Sequence, residues 1–210
     1  MKDLFNYIAS KPYVGVIIAV LIIAAVFMWI KAVSASQKSR EEREAIIAKL
    51  EKEKALREEF KTIDGSKFET DDNERLLCGI AANIQMFLEK QTDMNAAFEA
   101  LPEEKKSIYA LNYVFEDAKE DKLSQFFTAN GQPLTGKAQK AVESIIGGRF
   151  SEVFASAYKM TDGDCEDVSF DAAKIEEYNK EYSDIMKTEK TDIFDRIGSY
   201  IKSNKDIFIG

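Results

Sequence analysis

Apolar and polar residues alternate in two different ways along this chain. Tyr13 to Ile30 reads YVGVIIAVLIIAAVFMWI, eighteen residues without a charge. Beyond it the apolar residues recur every third or fourth position, the period of an amphipathic helix. After a break at Asp64-Gly65-Ser66 and an acidic cap at Asp71 to Glu74, the first face is Leu77, Ile80, Ile84, Phe87 and Leu88. Thr92 or Asp93 caps a short helix ending before Pro102, and Pro102 suits the first turn of the next, with Ile108, Leu111, Phe115 and Ala118 as its face. Leu123, Phe126 and Phe127 form a segment that stops at Asn130-Gly131. Ala138, Ala141, Val142, Ile145 and Ile146 follow, interrupted by Gly147-Gly148 and continued by Phe150, Val153, Phe154, Ala157 and Tyr158. Ile175, Tyr178, Tyr182, Ile185 and Met186 make another helix, and Ile193, Phe194, Ile197 and Ile201 the last. No two-residue alternation is sustained, so the pattern predicts an all-α fold: a compact bundle of about seven helices over 64–210.

The uncharged run has a different meaning. At about 1.5 Å per residue it spans roughly 27 Å, close to the roughly 30 Å hydrocarbon core of a bilayer. It predicts a transmembrane helix over 13–31, with Tyr13, Val14, Ile17, Val20, Leu21, Ile22, Phe27, Trp29 and Ile30 in lipid and residues 1–12 as a short tail. Trp29 and Lys31 stand where interface anchors are expected. Two other readings exist. A cleaved signal peptide would use Lys2 and Lys11 as its basic start and Val33-Ser34-Ala35 as its cleavage site, releasing a secreted helical domain. A buried core helix would need a polar face, which this run lacks. Lys31, Lys38, Arg40, Arg43 and Lys49 outnumber Lys2 and Lys11, which places the soluble part on the cytoplasmic side of the cell membrane.

Residues 32–63 read as a charged helical stalk. Lys38–Glu42, Arg40–Glu44, Lys49–Glu53, Glu53–Arg57 and Lys54–Glu58 are opposite charges four residues apart, each adding a few tenths of a kcal/mol. Ile46, Leu50, Leu56, Phe60 and Ile63 fit a coiled-coil heptad in part, because Glu53 occupies a seam position. The segment is thus either a solvated stalk or a coiled coil that makes a homodimer.

Charge narrows the function. From Thr62 onward there are 18 Lys and Arg against 29 Asp and Glu, a net of −11. That argues against direct nucleic-acid binding, which needs positive charge for the phosphates, and permits a basic protein as partner. The chain has no histidine, which removes His-based acid–base chemistry and nearly all catalytic zinc sites. Asp162-Gly163-Asp164-Cys165-Glu166-Asp167 is rich in carboxylates but fails the calcium-loop spacing, with Asp167 where glycine belongs and Ala173 where glutamate belongs. Gly147-Gly148-Arg149 lacks the further glycines and Lys-Ser or Lys-Thr pair of a phosphate loop. Phe126, Phe127, Phe150 and Phe154 are spaced as core residues rather than as a ligand box. Cys78 and Cys165 form one disulfide in an oxidising compartment or two thiols in a reducing one, and Cys78 suits a buried thiol. No catalytic residue, metal site or cofactor is expected.

The segment from Leu101 to Tyr158 resembles a bacterial domain family of unknown function that includes a DNA-mimic protein. The resemblance rests on Leu101-Pro102, Ile108-Tyr109, Leu123-Ser124-Gln125-Phe126-Phe127, Asn130-Gly131, and Ala138, Ala141, Val142, Ile145 and Gly147. The family's Asn-Asn-Gly-Gly turn is replaced here by residues 117–122, Asp-Ala-Lys-Glu-Asp-Lys. The resemblance implies an all-helical fold, no known catalytic activity, and surface carboxylates offered to a DNA-binding regulator in place of phosphates. It transfers no particular carboxylate to this chain. Together these readings give a non-enzymatic, membrane-anchored acidic module that binds another protein, or a structural protein that dimerises through its stalk.

Overall fold

The computed structural model describes residues 43–44, 46–118, 122–161 and 172–209. The expected membrane helix, the start of the stalk and the Asp162–Asp167 loop with Cys165 lie outside the described residues. Among the described residues every regular element is helical, and no helix is long and apolar enough to cross a membrane.

The chain divides into two compact units, Met1–Lys54 and Ala55–Gly210. In the first, residues 46–54 are helical and Ile46, Ile47 and Leu50 are exposed. The helical state extends from 46 to 59, so the boundary falls inside one helix, α1. The second unit continues through a 3-10 turn at Gly65–Glu69 into α2 (Asn73–Leu88), α3 (Met94–Glu99), α4 (Glu103–Asp117), α5 (Leu123–Ala129) and α6 (Leu134–Ala141). A π-turn at Val142–Ile146 leads to α7 (Gly148–Thr161), followed by α8 (Ala172–Thr188), α9 (Lys190–Ser203) and α10 (Lys205–Phe208).

Local chemistry explains these limits. The Asp72 side chain accepts from Arg75 N at 2.9 Å and caps α2, and Asp93 accepts from Ala96 N at 3.0 Å and caps α3. Pro102 is the N-cap of α4, whose first turn then begins with Glu103 and Glu104 at the positive end of the helix dipole. Gly147 and Gly148 have φ of 64° and 61°, a region that side chains with a Cβ avoid. There the chain turns a corner between α6 and α7, and Arg196 Nη1 from α9 donates to the Ile146 carbonyl at 2.5 Å.

The buried faces follow the three-to-four period, with some differences. Leu77, Ile80, Ile84 and Leu88 are buried as the spacing predicts, but Phe87 is 47% exposed. The covered arc of α2 is wide at its start, where Leu76 and Leu77 are both buried, and by the last turn it has narrowed to the Leu88 side. The bundle has more pieces than the seven expected, because α6 and α7 separate at the glycine corner and α10 follows Asn204. Phe208 of α10 is 1% exposed, a core residue that periodicity did not flag because its helix is a single turn.

The largest departure concerns where the compact body starts. The sequence places the boundary at Asp64 and gives Phe60 and Ile63 to the stalk. Both are 2% exposed in the core, and the unit begins at Ala55. Gly79 of α2 makes this possible, since a Cβ there would overlap the Phe60 ring. Asn83 Nδ2 then donates to the Phe60 and Lys61 carbonyls at 2.8 and 3.3 Å, satisfying groups that the end of α1 leaves open. Burying a Phe side chain stabilises by about 2–3 kcal/mol, enough to outweigh the polar character of the preceding turns.

Gly79→Ala is therefore expected to destabilise the body by about 1–3 kcal/mol through overpacking. Phe60→Leu in the same chain should recover part of that loss. Urea unfolding followed by circular dichroism on the purified protein would check both, and full stability in Gly79→Ala would refute the packing argument.

Candidate functional site

Carboxylates gather where the start of α2, the start of α9 and the end of α4 come together. Asn73 Nδ2 donates to Asp195 Oδ1 at 2.8 Å, and Lys190 Nζ lies 2.7 Å from Glu74 Oε2, so these interactions tie α2 to α9. Gly198 leaves the room that Asn73 occupies, because a Cβ at that position would overlap the amide. Asp71, Asp72, Glu74, Asp192, Asp195 and Glu116 are exposed acidic groups on these three stretches, and Asp117 at the end of α4 is half-buried. Arg75 is drawn to Glu59, which also receives Lys67 at 3.9 Å.

Cys78 reports the resulting field. It is a free, half-buried thiol whose pKa is pushed up to about 11 by burial and by the negative charges of Glu116, Glu74 and Asp72. A thiol so placed is the opposite of an activated nucleophile, which needs a depressed pKa. The thiol reading of Cys78 agrees with this environment. Among the described residues, no group of three or more His, Cys, Asp or Glu is arranged to hold a metal ion.

A second polar cluster lies between α1, α2 and α4. Arg57 pairs with Glu89 through Nη1–Oε2 at 3.1 Å and Nη2–Oε1 at 2.6 Å. Gln85 Nε2 donates to Glu89 Oε1 at 3.0 Å, and the Tyr109 hydroxyl donates to Gln85 Oε1 while lying 3.2 Å from the Tyr113 hydroxyl. The bond from Arg57, then that from Gln85, holds the Glu89 carboxyl below its usual range. Burial pushes the Tyr109 phenol far above its ordinary value. This network fastens three helices and presents no open acid or base.

The residues named for the family resemblance are mostly interior or at turns. Tyr109, Phe126 and Phe127 are buried, and Leu101 and Gln125 are partly so. Pro102 starts α4, Gly131 is exposed with open space about it, and Gly147 forms the corner before α7. Asn130 donates to Asp117 Oδ2 at 2.6 Å and to the Phe126 carbonyl at 2.9 Å, closing the end of α5 onto α4. Phe126 and Phe127 touch each other, with ring centroids 5.1 Å apart, and each touches Phe154. The four phenylalanines are thus core packing. Tyr13, Val14, Ile17, Val20, Leu21, Ile22, Phe27, Trp29 and Ile30 lie outside the described residues.

One feature had no signal in the sequence. A pocket lined by Phe127, Ala157, Met160, Ile175 and Tyr178 opens between α5, α7 and α8. Its polar groups satisfy each other: Asn179 Oδ1 accepts from Ser124 N at 3.0 Å, and Asn179 Nδ2 donates to Ser124 Oγ at 3.1 Å. What remains is an apolar lining without a group for chemistry. Comparison with family models, with curated proteins and with solved structures finds no match to this chain.

The Cys78 environment has a measurable consequence. Its folded pKa lies above the ordinary thiol value, so the thiol's contribution to folding is fully present below about pH 9. That contribution fades as pH rises through about 11. Alkylation of Cys78, followed by peptide mass spectrometry, should be slow at pH 8 and accelerate only near pH 11. Glu116→Gln should move that rise to lower pH. An alkylation midpoint at an ordinary thiol value would contradict the described field.

Proposed function

We infer that this chain is a non-enzymatic, single-pass membrane protein whose acidic helical body binds a basic protein. The observation that carries the reading is the exposed set Asp71, Asp72, Glu74, Glu116, Asp192 and Asp195 on the segments that α2, α4 and α9 bring together, where Asp72, Glu74 and Glu116 all act on Cys78. The net of −11 from Thr62 onward extends the same sign over the whole body. Such a field steers a cationic surface toward itself and repels nucleic acid. The run Tyr13–Ile30 tethers the body to lipid, and the Lys and Arg excess that follows puts it on the cytoplasmic side. The resemblance to the DNA-mimic family supplies a precedent in kind: carboxylates standing in for phosphates before a DNA-binding protein. Here that exchange would take place beside a membrane.

Two measurements test the reading. Native membranes are extracted with carbonate, and the protein is expected to stay with the lipid; release into the wash refutes the tether. The tagged chain is then used to capture partners at rising salt. Charge pairing over a solvent-exposed face weakens sharply by about 0.5 M salt, where the Debye length falls to roughly 4 Å. Asp71→Lys with Asp192→Lys should abolish capture at low salt while leaving helix content intact. Partners held equally at high salt, or by the reversed face, would refute the electrostatic reading.

A further inference from the structure

The first unit carries an uncovered stripe that the acidic face does not explain. Ile46, Ile47 and Leu50 are 59%, 55% and 59% exposed. Arg43, Ile46, Leu50 and Glu53 follow one another at spacings of three, four and three residues, which makes them one heptad seam, and all are exposed. The two charged positions decide what can cover it. In a parallel pair of copies each seam residue meets its own counterpart, so Arg43 faces Arg43, Glu53 faces Glu53, and Lys49 approaches Lys54 along the flank. Each of these is a like-charge contact. In an antiparallel pair with Ile46 level with Leu50 of the second copy, Arg43 faces Glu53 at both ends of an Ile46–Leu50 centre. The two Ile47 side chains then meet along one flank. Lys49 approaches Lys49 on the other flank, a single like-charge contact where the parallel pair has four.

We propose that this stripe is the interface of an antiparallel homodimer, with α1 of one copy packed on α1 of another and Arg43–Glu53 pairs closing both ends. The proposal does not require the acidic-face reading; with both anchors in one bilayer it has α1 of each copy lying along the membrane plane rather than standing upright. It gives the expected coiled-coil homodimer a direction, because polar seam residues specify register and orientation.

Disulfide capture in membranes tests it. Ile46→Cys and Leu50→Cys chains with different tags are expressed singly and together, with the native chain as control for Cys78 and Cys165. The mixture is expected to cross-link several-fold more than either variant alone. Arg43→Glu and Glu53→Arg should each weaken association about tenfold, and the double reversal should restore it, because opposite charges again face each other at both ends. Single-variant capture that equals the mixture, no capture at all, or a double reversal that stays weak would each overturn the proposal. All four positions are exposed, so helix content serves as the check that the fold is kept.

Discussion

Ring-on-ring packing unites five helices of the body. Phe115 of α4 lies 4.9 Å from Phe194 of α9 and 5.9 Å from Phe150 of α7, centroid to centroid. Phe150 in turn meets Tyr182 of α8 at 5.8 Å, and Phe154 one turn on meets Phe126 of α5 at 5.8 Å. Most of these helices are short and of mixed polarity, and isolated helices of such length are marginal in water. They persist because each lends a ring to a shared interior. The glycine corner serves the same end, bringing α7 back so that Phe150 and Phe154 reach the other rings.

Much of this was legible in the sequence, because a helix face is a local code. The spacing Ile193, Phe194, Ile197, Ile201 places all four in the core, and Asp72 and Asp93 cap the helices they precede. Other features were not legible, for physical reasons that differ. Phe60 and Ile63 sit after a strongly charged stretch, so their composition reads as stalk. Only the absence of a side chain at Gly79, distant in sequence, reveals the recess that Phe60 fills. Phe208 belongs to a single helical turn, too short for a period to register. Phe87 obeys the period yet stays exposed, since periodicity says which side of a helix faces inward but not how far along its neighbours extend.

The candidate sites divide in the same manner. Net charge was plain from the residue count, but its concentration at α2, α4 and α9 depends on long-range pairs such as Asn73 with Asp195 and Lys190 with Glu74. The residues that carry the family resemblance turn out to hold the fold: Tyr109, Phe126 and Phe127 are interior, and Asn130 and Gly147 shape turns. Residues of this kind speak to architecture, and their interior placement says nothing of a binding surface.

The seating of Phe60 and Ile63 also has a mechanical side. A pull transmitted along α1 toward the body reaches a packed ring, an asparagine clasp on two carbonyls and the Arg57–Glu89 pair before it reaches any loop. Traction on that end is therefore borne first by contacts with the interior of the bundle and not by a surface loop.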